Sequence, residues 1–135
     1  MTHNDLKECL YGRLNFRSEN YIEQVDSNFV GREQFDIVVC LSTIKWIHLN
    51  FNDVGLKALF LKVRDQLSTG GLFIFDSQPW KSYKKVQEKD KMQIELKPHC
   101  FKAYLKAIGF KLINTVDKTR DETKLEKVIY IYMKV

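Results

Sequence analysis

The chain has 135 residues, 44% of them hydrophobic, which is enough for one modest core and too few for two independent domains. No apolar run reaches the length of a membrane span, and the opening MTHNDLKECLYG lacks the shape of a signal peptide, so a nuclear or cytoplasmic protein, not a secreted one, is expected. A net charge of +5 and a pI near 9.1 favour an anionic partner such as nucleic acid without requiring one.

In chain order, residues 5–10 have the makings of a short helical turn before Gly12. RLNFRSENYI then alternates weakly, with Leu14, Phe16 and Tyr21 apolar, and predicts a strand. FDIVVCLS is a continuous, β-branched run of strand length, which suits a strand buried on both faces. Asn52 and Asp53 are placed to cap a helix whose inner face is Leu56, Leu59, Phe60, Val63 and Leu67, with Gly70-Gly71 as its stop. LFIFDS reads as a second buried strand, ended by Pro79. KSYKKVQEKDK is a charged connecting segment, and Pro98 opens a helix with Phe101, Tyr104, Leu105 and Ile108 on one face, closed by Gly109. KLINTV and KVIYIYMKV predict a terminal hairpin across the polar loop DKTRDETKLE. Buried strands separated by amphipathic helices give an α/β fold: a largely parallel sheet with an antiparallel closing strand.

Cys9, Cys40 and Cys100 are odd in number, far apart and without metal-ligand or redox spacing, so free thiols that fill space are expected, and no metal site. Ligands of open parallel sheets bind beyond the carboxyl ends of the strands. Both buried strands end in polar and aromatic stretches, STIKWIHLN and SQPWKSYKK. Side by side, they would form one cleft mouth carrying Lys45, Trp46, His48, Asn50, Gln78, Trp80, Lys81, Tyr83, Lys84 and Lys85. Plainer readings stand beside this one: Trp46 and Trp80 as caps of the core, Lys45 as a solvated loop cation, His48 as a hydrogen-bonded structural histidine, and the lysines as a solvated face.

The stretch FDIVVCLSTIKWIHLNFNDVGLKALFLKVRDQLSTGGLFIFDSQPWKSY resembles the methylphosphate capping enzyme family, RNA methyltransferases of the bicoid-interacting-protein-3 type. The joint occurrence of KWIHLN and QPWKSY carries the resemblance, which continues through IELKPHCFKAYL and covers the chain from about Asn15 onward. It implies a partial class I, Rossmann-like methyltransferase sheet lacking its first two strands, with residues 1–135 as one domain, the carboxy-terminal portion of the catalytic domain. It further implies S-adenosylmethionine as methyl donor and the 5′-terminal phosphate of a small RNA as acceptor. Position by position, Asn20 and Tyr21 would lie near the adenine, and Cys40, Leu41 and Ser42 would line the donor pocket. Lys45 and His48 would act at the acceptor side, and Trp46, Asn50, Gln78, Trp80, Lys81, Tyr83, Lys84 and Lys85 would meet the RNA.

This sequence departs from the family pattern at Asn52, where a glycine is usual, at Thr69 in place of proline, and in STIKW and DSQPW. The donor-binding glycine loop and the acid that holds the ribose should lie upstream of RLNFRSEN and are not expected within these residues. A protein partner or a missing segment would then have to complete the sheet, because the edge of FDIVVCLS would otherwise carry unpaired backbone groups. The alternative function is a noncatalytic RNA-binding remnant that keeps the rim without the donor loop. A generic α/β interaction domain is disfavoured by the KWIHLN and QPWKSY pair.

Overall fold

A computed structural model describes residues 18–21, 34–83, 94–117 and 127–135. Its sheet has four strands, in the order β1-β2-β4-β3: β1 is Phe35–Cys40, β2 Leu67–Ser77, β3 Phe110–Asp117 and β4 Val128–Lys134. β1 and β2 run parallel, joined by α1, Ile44–Gln66. A one-turn helix α2, Trp80–Tyr83, follows β2. A 3-10 turn, Pro98–Cys100, leads into α3, Phe101–Ala107, with Pro98 in the first turn as expected. The terminal hairpin forms, β3 antiparallel to β4. The antiparallel strand does not close the sheet, however, because β4 inserts between β2 and β3.

The core lies on one face. Leu56, Leu59, Phe60 and Val63 of α1 meet Phe73 and Phe75 of β2, Phe101 and Leu105 of α3, Phe110 of β3 and Tyr132 of β4. Phe60 sits at the centre, with ring centroids 5.9 Å from Phe75 and 5.7 Å from Phe101. The inner face predicted for the helix, including Leu67 just past its end, is buried throughout.

Three local expectations are corrected. β1 is not buried on both faces: Phe35, Ile37 and Val39 are 42%, 54% and 56% exposed. Residues at alternate positions point to opposite faces, and α1 and α3 cover only the face shared by Val38, Cys40, Phe73 and Phe75. Second, KWIHLN is helical and not a loop: α1 begins at Ile44 and bends at Asn52, whose φ of 58° and ψ of −162° break the helix inside its span. The bend folds Phe51 onto Gly55, where a Cβ would stand 2.1 Å from the Phe51 Cβ, so only glycine fits. Third, Gly70-Gly71 does not stop the helix, which ends at Gln66 with Leu67 already extended. The pair lies within β2 where the register with β1 jumps, Phe35 pairing with Leu67 and Ile37 with Leu72. Gly70 has a φ of 84°, and a Cβ on Gly71 would stand 2.8 Å from the Ser68 carbonyl and 3.0 Å from that of Asp36.

Candidate functional site

The carboxyl ends of β1 and β2 are tied together by a side chain. The Ser42 N–H donates to Asp76 Oδ1 at 2.8 Å, and Lys127, just before β4, donates to Ser42 Oγ at 3.3 Å. Ser42 has a φ of 58°, as does Asn52, so two strained non-glycine residues bracket the segment bearing Lys45, Trp46, His48 and Asn50. Backbone strain of this kind costs of order 1–3 kcal/mol per residue and concentrates at functional positions. Cys40 Sγ lies 2.7 Å from Thr43 Oγ1. Burial pushes the Cys40 thiol up, against the opposing effect of the Thr43 hydrogen bond, so it stays protonated and is a poor nucleophile.

Lys45 links the two strand ends. Its Nζ donates to the Ser82 carbonyl at 3.1 Å and to Gln78 Oε1 at 3.4 Å. It also lies 5.4 Å from the Trp46 ring centroid and 5.9 Å from that of Tyr83. Gln78 Oε1 accepts as well from Ser82 Oγ at 2.9 Å, which orients the amide towards Lys45. Trp80 continues the surface: its ring is 5.0 Å from that of Tyr83, and Lys97 Nζ lies 5.3 Å from its centroid. Trp46 is 57% exposed, and Asn50 and Lys81 are exposed.

His48 has a different position from the one expected. It is wholly buried, with Nε2 2.8 Å from Asp53 Oδ1 and Nδ1 3.2 Å from the Tyr83 hydroxyl. A carboxylate only accepts, so Nε2 carries the proton and Nδ1 accepts from Tyr83. Burial keeps the Tyr83 phenol well above its usual range, so it remains a donor. Burial also lowers the pKa of His48, with the Asp53 hydrogen bond opposing, and the ring is neutral. Asp53 Oδ2 accepts from the N–H groups of Glu95 and Leu96 at 2.8 and 3.0 Å. With both nitrogens engaged and no exposed atom, His48 cannot reach an acceptor. It positions Tyr83, and through Asp53 it pins residues 95–96 to the bend of α1.

Tyr21 is not brought to the rim. The Tyr21 hydroxyl donates to Gln66 at the far end of α1, and its carbonyl accepts from Lys62 at 2.6 Å. At 1.5 Å per residue that end lies roughly 20 Å along the helix from its bend. Cys40, Leu41, Ser42, Lys45, Trp46, Gln78, Trp80 and Tyr83 are brought together; Lys84 and Lys85 lie outside the described residues. The sequence reading missed Asp53 as an anchor, Asp76 as a clasp and Lys97 as a rim cation. Only Asp76 had a signal, as the one charge ending a buried strand.

A family model described as Bicoid-interacting protein 3 (Bin3) matches residues 35–134. The 7SK snRNA methylphosphate capping enzyme of Mus musculus is 33% identical over 88% of this chain and 19% of its own length. A probable RNA methyltransferase of Arabidopsis thaliana is 38% identical over 74% of this chain and 33% of its own. The U6 snRNA methylphosphate capping enzyme Amus of Drosophila melanogaster is 36% identical over 72% and 35%. The chain thus spans about a fifth to a third of these curated relatives. Among solved structures, an S-adenosylmethionine-dependent methyltransferase from Clostridium acetobutylicum aligns with a TM-score of 0.63 at 16% identity, over 96% of this chain and 69% of its own. The sheet is therefore a partial Rossmann-like methyltransferase sheet. No helix among the described residues is long and apolar enough to cross a membrane.

Proposed function

The chain belongs to the Bicoid-interacting protein 3 family, and from that premise we propose that it supplies the acceptor-side rim of an RNA methyltransferase. The reaction passes a methyl group from S-adenosylmethionine to an oxygen of the 5′-terminal phosphate of a small RNA. In this reading residues 1–135 act as one domain, the carboxy-terminal portion of the catalytic domain. The exposed apolar residues of β1 support a sheet completed by a further segment or a protein partner.

The observation that carries the reading is Lys45, a cation held between two strand ends by the Ser82 carbonyl and Gln78 and flanked by the rings of Trp46 and Tyr83. A terminal phosphate is already anionic near neutral pH, its second pKa being about 6. No strong general base is needed, which agrees with a buried, neutral His48. The protein's task is to position the phosphate oxygen and to balance its remaining charge. Lys45 does the balancing, while Trp46, Trp80, Asn50 and Lys81 meet the nucleotide, with Lys84 and Lys85 as further backbone contacts.

Cys40, Leu41 and Ser42 fit one wall of a donor site. Leu41 is 49% exposed beside the polar Cys40–Thr43 pair, which offers apolar surface to a purine and polar atoms to an amino-acid moiety. The donor, when bound, supplies an electrophilic methyl group on a sulfonium. Tyr21, packed at the far end of α1, has no part in that wall.

Calorimetric titration with S-adenosylmethionine and S-adenosylhomocysteine, followed by methyl transfer to 5′-phosphorylated RNA, tests the reading. Lys45→Ala should lower transfer by roughly 10²- to 10³-fold, the effect of removing one charge-stabilising donor, with donor affinity unchanged. Equal loss of both would make Lys45 a structural residue. Salt-sensitive RNA binding without donor binding would leave the noncatalytic remnant as the correct reading.

A further inference from the structure

A second concave feature adjoins the rim. A cavity of about 190 Å³ lies between the sheet and the turn entering α3, floored by Phe75 and Tyr132, walled by Tyr130 and Pro98, with His99 and Lys102 at its edge. The floor is buried, Tyr130 is half-buried, and His99 and Lys102 are exposed, so the cavity has an aromatic base and the Lys102 ammonium at its mouth. An apolar cavity of about 150 Å³ accommodates benzene, and this one has room for a single aromatic ring. It is too small for the face of an amphipathic helix.

Its location is the second observation. β4 pairs with β2 such that Val128 faces Ser77 and Tyr130 faces Phe75, which puts Tyr130 near the carboxyl end of β2, the strand that Gln78 and Trp80 follow. Between Lys45 and that point the partly exposed groups are Trp80 and Lys97, with Lys97 Nζ 5.3 Å from the Trp80 ring centroid and directly before Pro98, while Tyr83 packs buried beside Trp80. Alternating cations and aromatic faces are how proteins track a single nucleic-acid strand, the cations following phosphates and the rings stacking bases.

We infer that the cavity is a base-binding subsite for single-stranded RNA, taking a nucleotide downstream of the 5′ end whose phosphate meets Lys45. This deepens the function proposed above and rests on it. The base enters the cavity and the backbone stays outside, along Lys97 and Lys102.

Fluorescence anisotropy on the full chain tests the subsite, with a 5′-phosphorylated mononucleotide and a short 5′-phosphorylated RNA in which each base in turn is replaced by an abasic residue. Tyr130→Ser and Lys102→Glu should weaken the short RNA by roughly 5- to 150-fold, the range for one stacked base, and leave the mononucleotide unchanged. Tyr130→Phe, which keeps the ring, should bind like the parent. One abasic position, and not the first, should reproduce the loss in the parent and add little in Tyr130→Ser. The exposed Lys102 and the abasic probes keep the test valid if Tyr130→Ser fails to fold. The subsite is overturned if no abasic position beyond the first matters while Lys45→Ala still weakens both ligands. If Lys45→Ala changes neither, or the parent binds neither, the reading of the rim falls with it.

Discussion

Asp53 offers the most direct test of how the rim is held. Its carboxylate accepts from the buried His48 ring and from the backbone N–H groups of Glu95 and Leu96. Hydrogen bonds to a charged group contribute about 1.5–3 kcal/mol each, and a buried donor left unpaired costs about 1–3 kcal/mol. Glu95 is exposed and its N–H can turn to water, so its loss counts little. His48 has no exposed atom and Leu96 is half-buried, so theirs count nearly in full. Asp53→Ala should therefore destabilise the fold by about 3–4 kcal/mol, a large share of the 5–15 kcal/mol typical of a domain. Asp53→Asn should lose about 2 kcal/mol, because one amide oxygen can serve the ring or the backbone pair but not both. Urea denaturation with both variants measures this, and a cycle with His48→Leu should show coupling of about 1–3 kcal/mol. A loss below about 1 kcal/mol for Asp53→Ala, at unchanged m-value, would refute the clamp.

Three further outcomes follow from the same geometry. The pKa of His48 is depressed in the fold, chiefly by burial, so the unfolded chain takes up that proton first and stability should fall as pH drops below about 6.5. Burial alone would raise Asp53, but its three donors outweigh it and hold the carboxyl low, so a second loss should follow below about pH 4; flat stability between pH 7 and pH 5, read by thermal melting, would contradict the neutral buried ring. Asn52→Gly should relieve the strain at a φ of 58° and raise stability by about 1 kcal/mol after the extra freedom of glycine in the unfolded chain is allowed for. A lower melting temperature would show that the Asn52 side chain contributes more than its backbone costs. Gly71→Ala should destabilise by about 2 kcal/mol or more, as overpacking does, because the new methyl meets two backbone carbonyls that cannot yield; a neutral result in urea would show that the β1–β2 register adjusts.

The parts of the fold legible in the sequence were those with an unbroken period. Leu56, Leu59, Phe60 and Val63 marked one face of α1, and Phe101, Tyr104, Leu105 and Ile108 did the same for α3. The start of α1 was hidden because the segment from Ile44 has no side-chain cap and no first-turn acid, and because Asn52-Asp53 imitates a helix start in mid-helix. Read as helix, Ile44 and His48 are four apart and share a face, which foretells the burial of both while Trp46 points outward. The His48–Asp53 contact was out of reach, since five residues is no helical neighbour spacing and the two meet only across the bend. Tyr21 misled for a related reason: a local motif does not say which end of a long helix it will pack against.

The bare side of β1 also has a calorimetric consequence. Unfolding raises heat capacity because it exposes apolar surface, by about 12–15 cal/mol/K per residue, or about 1.6–2.0 kcal/mol/K for a chain of this length. Phe35, Ile37, Val39 and Leu41 already stand largely in water in the native state, so their hydration belongs to both sides of the transition. The heat-capacity step should be smaller than chain length implies and the stability curve correspondingly flatter. Covering that face would steepen the curve and sharpen its maximum, so the curvature of stability with temperature reports whether the sheet stands clothed or bare.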